Sequence, residues 1–540
     1  MQYLDVDPAN GAELPVEVRE SMVEMPDGVR LYTQCLLPEG EGSFPIVFIR
    51  TPYVTLQTGI AENCREHAAL IRGGYAVAIQ HCRGCGRSEG ECHPYQYERG
   101  DGLATLDWIR KQPFYQQEIY LSGGSYLSSV HFSYLDTAPA DVRGAVLPVQ
   151  EIDRYDILYR NGFLKLGLHV GWAVRMHKKK QLASKNFVQE TGRTLPLENI
   201  GKTIFGESIP SFDEPLLHPW PEDPYWQTPE GGVHYLHALD NLDIPVLFVT
   251  AFYDIYTEGL LKMWRTMPEK LRKKSALVIT PYDHGFEGVG KLFDFPKSHL
   301  SQEWPDFRRN WFDAIRGKDA LRFAKPGHVT WYEQFGGVWH TAPDLNDGAR
   351  ELAFYLTPGG LTSEPADETG RTIVYNPFAP ATFAGGCCHN FGGMQVQDPP
   401  NSRYDIASFV TSPFAEATVW QGAASLELRV KSDCPDTAFY ARVSLVRNNV
   451  AYGMRDDIVS LRRQFSDYRP GGTVTLKLDF TANAVRIQPG DALRLDVSCS
   501  CWPHFVPHTN RAGLYSRQTG ADIAHNTVFL GRSCFRLKVL

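Results

Sequence analysis

The sequence predicts an α/β domain with a parallel sheet, interrupted by a helical insertion and followed by an antiparallel β-sandwich. Three patterns carry that expectation. Over the first 150 residues, short and nearly continuous apolar runs alternate with stretches of helical spacing, as in strands covered by helices on both faces. Residues 151–240 break the rhythm with helical and Pro-rich segments. Beyond residue 320 the apolar positions recur with period two between Gly and Pro turns. The expected layout is therefore an α/β domain from 1–150 and 241–320, a cap insertion at 151–240, and a sandwich at 321–540.

The elements follow in order. Pro45–Arg50 and Tyr75–Gln80 read as buried strands, with a helix at Gly59–Arg72 between them. A helix at Asp101–Lys111 leads to strands at Ile119–Leu121 and Gly144–Pro148. Ile152–Lys180 has continuous helical patterning, and an insertion at this place in a parallel sheet is expected to lie over a site at the strand ends. Pro245–Thr250 and Ala276–Thr280 complete the strands, and Ser298–Arg316 is the last helix. Period-two segments follow at His328–Tyr332, Leu352–Leu356, Ser425–Val430, Val474–Phe480 and Leu493–Val497, which predict a jelly-roll type of sandwich. Gly359–Arg403 reads as a long loop region.

Composition removes several functions. The 54 basic and 62 acidic residues give a net charge of −8, against a nucleic-acid binder with a basic face. The longest apolar stretches, such as Ile244–Phe252, are too short to span a bilayer, and the opening residues lack the apolar core of a secretory signal. A cytoplasmic protein without membrane attachment is expected, with a homo-oligomer left open. The 11 cysteines are odd in number and irregular in spacing, unlike a disulfide framework. Gly84-Cys-Gly86 through Gly90 imitates a dinucleotide fingerprint, but the last glycine is one position late and no helix opens there. Cys82, Cys85, Cys92 and His93 lack a second Cys/His pair at zinc-site spacing. Neither a cofactor nor a metal is expected. Cys387-Cys388-His389 reads as an incidental loop sequence, and Lys178–Lys180 as a solvated helix face.

The sharpest chemical signal is Leu121-Ser-Gly-Gly-Ser-Tyr-Leu-Ser128. A strand runs into Gly123-Gly124-Ser125 and a helix-like segment follows, the form of a turn that exposes a serine hydroxyl. The usual glycine two residues after the serine is replaced by Leu127. A serine nucleophile needs a base, and the base an orienting acid, each in a loop after a strand and in the chain order Ser, acid, His. Asp254 follows one strand and His284 the next. Among rivals, Asp283 adjoins His284 and points elsewhere in an extended segment. Glu258 is expected to be carried off by a helix, and Ser122, Ser128 and Ser129 lack the Gly-Gly turn.

With these residues in place, the chain resembles the CocE/NonD family of serine hydrolases, relatives of cocaine esterase, α-amino-acid ester hydrolases and X-prolyl dipeptidyl peptidases. The matching stretches are Met25–Leu31, Arg50-Thr-Pro-Tyr53, Arg83-Gly84 with Arg87–Gly90, Glu98–Gly102, Asp107-Trp108, Gly124-Ser-Tyr126, Asp254, Asp283-His284-Gly285 and Pro489–Val497. The resemblance implies an α/β-hydrolase domain with a helical cap and a C-terminal jelly roll. It implies Ser125 as nucleophile, His284 as base, Asp254 as orienting acid, and an oxyanion hole of the Tyr53 hydroxyl and the Tyr126 backbone N–H. The chain departs from the family pattern at Ser128, where glycine is usual, and at His81, where aspartate is usual.

The expected function is hydrolysis of a small carboxylic ester or amide through an acyl-enzyme on Ser125. Alternatives are acyl transfer to another acceptor, an X-prolyl or aminoacyl peptidase, and a ligand-binding protein that uses the jelly roll. The α-amino-acid ester hydrolases place acids two and three positions after the triad aspartate, where this chain has Tyr256 and Thr257. An obligatory α-ammonium on the substrate is therefore not expected, unless Asp153 or Asp156 supplies the missing carboxylate.

Overall fold

The computed structural model describes residues 2–6, 13–54, 59–176, 193–228, 231, 236–285, 299–318, 324–346, 350–387 and 392–540. Lys178–Lys180 and Cys388-His389 lie outside the described residues.

The α/β part begins with β1 (Gln2–Val6), β2 (Glu13–Glu24), β3 (Arg30–Pro38) and β4 (Phe44–Thr51). It continues with α1 (Ile60–Arg72), β5 (Ala76–His81), α2 (Glu98–Arg110), β6 (Tyr115–Ser122), α3 (Tyr126–Leu135) and β7 (Val142–Pro148). The cap opens with α4 (Arg154–Leu158), β8 (Tyr159–Arg160), β9 (Phe163–Leu164) and α5 (Leu166–Met176), then proceeds through short helices to Asp240. The chain returns with β10 (Val246–Tyr253), α6 (Thr257–Thr266), β11 (Ala276–Asp283), α7 (His299–Ile315), β12 (Val329–Glu333) and β13 (Val338–Ala342).

These strands form one 11-stranded sheet in the order β1-β2-β3-β5-β4-β6-β7-β10-β11-β12-β13. The run from β5 to β12 is parallel throughout. Successive side chains of a strand face opposite sides, and β4 shows why its sequence is a continuous apolar run. Ile46 and Phe48 join the core under α2, α3 and α6, while Val47 and Ile49 join the core under α1 and α7. Antiparallel β1–β3 and β13 close the two edges.

Two local expectations are corrected. The alternation of His328–Tyr332 predicts a sandwich strand, but β12 pairs in parallel with β11 and carries β13 as a hairpin. The hydrolase sheet thus runs on to Ala342. Continuous helical spacing over Ile152–Lys180 is broken by the β8–β9 hairpin, whose turn residues Asn161 and Gly162 have φ of 49° and 88°. Asn-Gly is a strong hairpin turn because both positions must take positive φ, and it overrides the apolar periodicity around it.

The sandwich sets a seven-stranded antiparallel sheet against a four-stranded one. Its longest strands are Thr418–Ser432 and Thr473–Ile487, paired along most of their length. In the latter, Leu476, Leu478 and Phe480 are buried while Thr475, Lys477 and Asp479 are exposed, the alternation expected of a sheet with one wet face. A single apolar core runs from the hydrolase sheet into the sandwich, and a second joins the cap to it through Tyr159, Phe163, Tyr440 and Trp502.

Trp331 on β12 is 2% exposed, whereas Val338 on the edge strand is 46% exposed. Trp331→Ala should therefore destabilise the protein by about 3–5 kcal/mol. Val338→Ala should stay within about 0.5 kcal/mol. Denaturant midpoints of the two variants check the contrast, and equal midpoints would contradict the placement of β12 in the core.

Candidate active site

The site is built where β6, β10 and β11 end. Ser125 sits between β6 and α3 with φ 59° and ψ −127°, a backbone state that costs a non-glycine residue about 1–3 kcal/mol. Hydrogen bonds hold it there: Ser125 N donates to Pro148 O at 3.1 Å, and Ser128 Oγ donates to Ser125 O at 2.5 Å. The glycine two residues before it, Gly123, is required by contact as well as conformation. A Cβ on Gly123 would lie 2.6 Å from Leu127 Cβ and 2.8 Å from Leu127 O, so Leu127 packs directly against the bare glycine backbone.

His284, just after β11, brings Nε2 to 3.0 Å from Ser125 Oγ and Nδ1 to 2.7 Å from Asp254 Oδ1. Asp254, after β10, is 1% exposed, and its second oxygen accepts from Thr250 Oγ1 at 2.8 Å. Because β10 and β11 are parallel neighbours, their carboxyl ends deliver the acid and the imidazole side by side. The rival residues are engaged elsewhere. Asp283 Oδ1 accepts from Gly285 N, and Glu258 pairs with Arg160. Ser122 is buried, and Ser129 Oγ faces Glu151.

Tyr53 and Tyr126 meet at the same place. Tyr53 lines the cavity above Ser125, and its ring lies edge-on to Tyr126 at 6.3 Å. The Tyr126 backbone N–H, first of α3, has no acceptor among the described residues, as helix geometry requires of an initial turn. The Tyr126 side chain is a tether: its hydroxyl donates to Glu98 Oε1 at 2.8 Å and accepts from Tyr95 N at 2.9 Å. Burial raises its pKa well above that of a free phenol, so it remains a neutral donor.

Beneath the turn, Arg50 lies fully buried, with Nη1 2.8 Å from Glu98 Oε2 and Nη2 3.8 Å from Asp101. Asp101 also receives Arg83, which reaches Asp27. The family-like stretches at 25–31, 50–53, 83–84, 98–102 and 124–126 thus converge in one ionic network. His81, the departure from the family pattern, is absorbed locally. Burial lowers its pKa to about 4, and the neutral ring accepts Arg87 N at 3.1 Å.

The cavity is walled by Tyr95, Ile157, Leu158, Leu168, His169, Trp172, Ile255 and Tyr256. Arg154, at the start of α4, lies among them. Tyr256 lines the cavity with Ser125, and its ring packs against His284 at 5.2 Å. Sequence reasoning treated Tyr256 only as a missing carboxylate and did not single out Tyr95, Trp172 or Arg154. Among the described residues one group has metal-ligand types close together, Asp456, Cys501 and His504. Arg442 already pairs with Asp456 at 2.5 Å, and burial pushes the Cys501 thiol up to about 11, so the charge and the thiolate a metal needs are both opposed.

Family comparison agrees with this architecture. A model of the X-Pro dipeptidyl-peptidase S15 family matches residues 27–286, and one of the X-Pro dipeptidyl-peptidase C-terminal non-catalytic domain matches residues 322–534. The chain carries the S15-family catalytic domain and its C-terminal non-catalytic domain, and it is a serine hydrolase. It is 25% identical to cocaine esterase of Rhodococcus sp. (strain MB1 Bresler) over 92% of this chain and 93% of that one. The solved α-amino acid ester hydrolase superposes with a TM-score of 0.83 at 19% identity, covering 100% of this chain and 98% of the other. A CocE/NonD family hydrolase from Staphylococcus aureus gives 0.68 at 14% identity, with coverage of 100% and 96%. Both share the α/β-hydrolase fold with its C-terminal β-rich domain. No helix among the described residues is long and apolar enough to cross a membrane.

Gly123→Ala should push the serine turn out of place and lower kcat by at least about tenfold, with the fold retained by circular dichroism. Gly100→Ala, whose Cβ meets open space in α2, should leave kcat unchanged and stabilise by about 0.5–1 kcal/mol. Wild-type turnover in the Gly123→Ala protein would show that the turn tolerates a side chain there.

Proposed function

We propose that the protein hydrolyses a carboxylic ester or amide through an acyl-enzyme on Ser125. The observation that carries this is the paired contact of His284, with one ring nitrogen on Ser125 Oγ and the other on the buried Asp254. His284 takes the serine proton as the hydroxyl attacks the scissile carbonyl and returns it to the leaving group. Asp254, fixed by Thr250, holds the tautomer that leaves Nε2 free to accept and stabilises the imidazolium. Water then repeats the sequence on the acyl-enzyme, with His284 as base.

The oxyanion that forms in each half-reaction is assigned to the Tyr126 backbone N–H and the Tyr53 hydroxyl. The first is fixed by the Ser125 turn and open at the head of α3; the second stands at the cavity wall. The aromatic and aliphatic wall suits a small acyl group of carbon, with little hydration to lose. A substrate with an obligatory α-ammonium fits poorly. Asp153 caps α4 through Tyr155 N, and Asp156 faces Lys262 at 3.8 Å, so neither lines the cavity.

A fluorophosphonate probe should label the wild-type protein at Ser125 and leave Ser125→Ala unlabelled, with ester turnover reduced on the order of 10⁶. Labelling or turnover retained in a folded Ser125→Ala protein would refute the nucleophile. Tyr53→Phe should lower kcat by roughly 10²–10³ with a small change in KM, because its hydrogen bond strengthens as charge develops. A change confined to KM would move Tyr53 from the oxyanion hole to the substrate wall.

A further inference from the structure

The connection from β5 to α2 folds two cysteine sulfurs against each other. Cys82, Cys85 and Cys92 all lie on it. The chain doubles back after Cys85: Gly84 N donates to Glu89 O at 2.9 Å, and Ser88 N donates to Cys85 O at 3.0 Å. Gly84, with φ 68°, lets the returning backbone close on the outgoing one. A Cβ there would lie 2.2 Å from Cys92 N and 2.9 Å from Cys92 Cα. The result is a contact of 3.7 Å between Cys85 Sγ and Cys92 Sγ.

The two thiols differ in access and in where the proton sits. Among the described cysteines Cys92 alone is exposed. Cys85 is 8% exposed and packs with Cys82, Tyr126 and Val130. Its S–H donates to Cys92 Sγ, and that bond together with burial holds the Cys85 thiol well above its usual pKa. A sulfur that accepts a hydrogen bond is favoured in its ionised form. Cys92 is therefore the member that meets an oxidant from solvent, and Cys85 is the thiol within reach of the product. Metal binding does not account for the arrangement, because among the described residues Cys82, Cys85 and Cys92 do not converge as one ligand group.

We propose that Cys92 and Cys85 form a peroxide-reactive thiol pair, in which Cys92 attacks the peroxide and Cys85 resolves the product into a disulfide. The Cys92 thiolate attacks one oxygen of a hydroperoxide. An S–O bond forms, the O–O bond breaks, and the departing oxygen takes up the proton that the thiol released, leaving as water or an alcohol. The Cys85 sulfur then attacks the Cys92 sulfenic acid. The S–S bond forms, the S–O bond breaks, and the Cys85 proton leaves with the hydroxide as water. Two thiols have then given up two electrons and two protons, and one hydroperoxide has been reduced. The bridge closes the loop just before Tyr95, whose backbone N–H donates to the Tyr126 hydroxyl at 2.9 Å. The inference does not depend on Ser125 being the nucleophile.

The test treats the full-length, reduced protein with hydrogen peroxide, alkylates the remaining thiols in denaturant, and maps tryptic peptides without reduction. Trypsin separates the three cysteines into Gly73–Arg83, Gly84–Arg87 and Ser88–Arg99. The main product should join Gly84–Arg87 to Ser88–Arg99, while the other described cysteines stay alkylated, and dithiothreitol should return both thiols. Cys92→Ser, an exposed change, should abolish the bridge and leave Cys85 alkylated. Cys85→Ser should halt at the Cys92 sulfenic acid, trapped by dimedone, and Cys82→Ser should leave the bridge intact. The proposal is overturned if wild-type Cys92 remains alkylatable after peroxide. It is overturned equally if Cys92 ends as a sulfonic acid or a dimedone adduct with no bridge, joins the Gly73–Arg83 peptide, or links two copies of the chain.

Discussion

The buried guanidinium of Arg50 is the constraint on which the site depends. A charge taken fully out of water must be matched by carboxylates, and here those are Glu98 and Asp101 at the start of α2. Glu98 uses its remaining oxygen to hold the Tyr126 hydroxyl, and Tyr126 is the residue immediately after the strained serine. The strain at Ser125 is thus opposed by an ionic anchor one residue away. Removing one partner of such a buried pair typically costs about 3–5 kcal/mol, because the other charge is left uncompensated. The same arginine lies on β4, three residues before Tyr53, so the candidate nucleophile and the candidate oxyanion donor are referred to a common fixed point. Sequence motifs that are scattered over a hundred residues are therefore parts of one electrostatic object.

Much of this was legible before any coordinates. The parallel strands are buried on both faces, and that burial writes itself into the chain as unbroken apolar runs such as those at 45–50 and 276–280. Ser125, Asp254 and His284 stand out because parallel strands deliver their successors to one edge, so position just after a strand is informative on its own. What was not legible is equally physical. β12 and β13 alternate like sandwich strands because an antiparallel edge hairpin has one wet face too, and pattern does not say which sheet a strand joins. The Asn161-Gly162 turn was present in the sequence but was outweighed by the helical spacing on both sides.

The cavity wall was the least readable part. Tyr95 and Arg154 are 59 residues apart, and Tyr256 comes from a third segment. Nothing in local periodicity links them, since each reaches the site through a loop end or a first helical turn. The one signal available was negative: uncharged residues stand at 256 and 257, where the family resemblance leads us to expect acids. The structure gives that absence a positive counterpart, a guanidinium held by Glu151, Tyr95 and Trp172.

The C-terminal sandwich touches the acid-bearing loop directly. Arg455 donates to Phe252 O, two residues before Asp254, and also to Ala482 O of its own domain. The Tyr253 hydroxyl lies 3.5 Å from Met454 Sδ, and Arg160 in the cap hairpin binds Asp457. The loop that presents the acid is therefore floored by another domain, and its freedom to open is tied to domain separation instead of to its own short length. A domain that contributes none of Ser125, His284 and Asp254 thus limits how far the Asp254 carboxylate can move toward water.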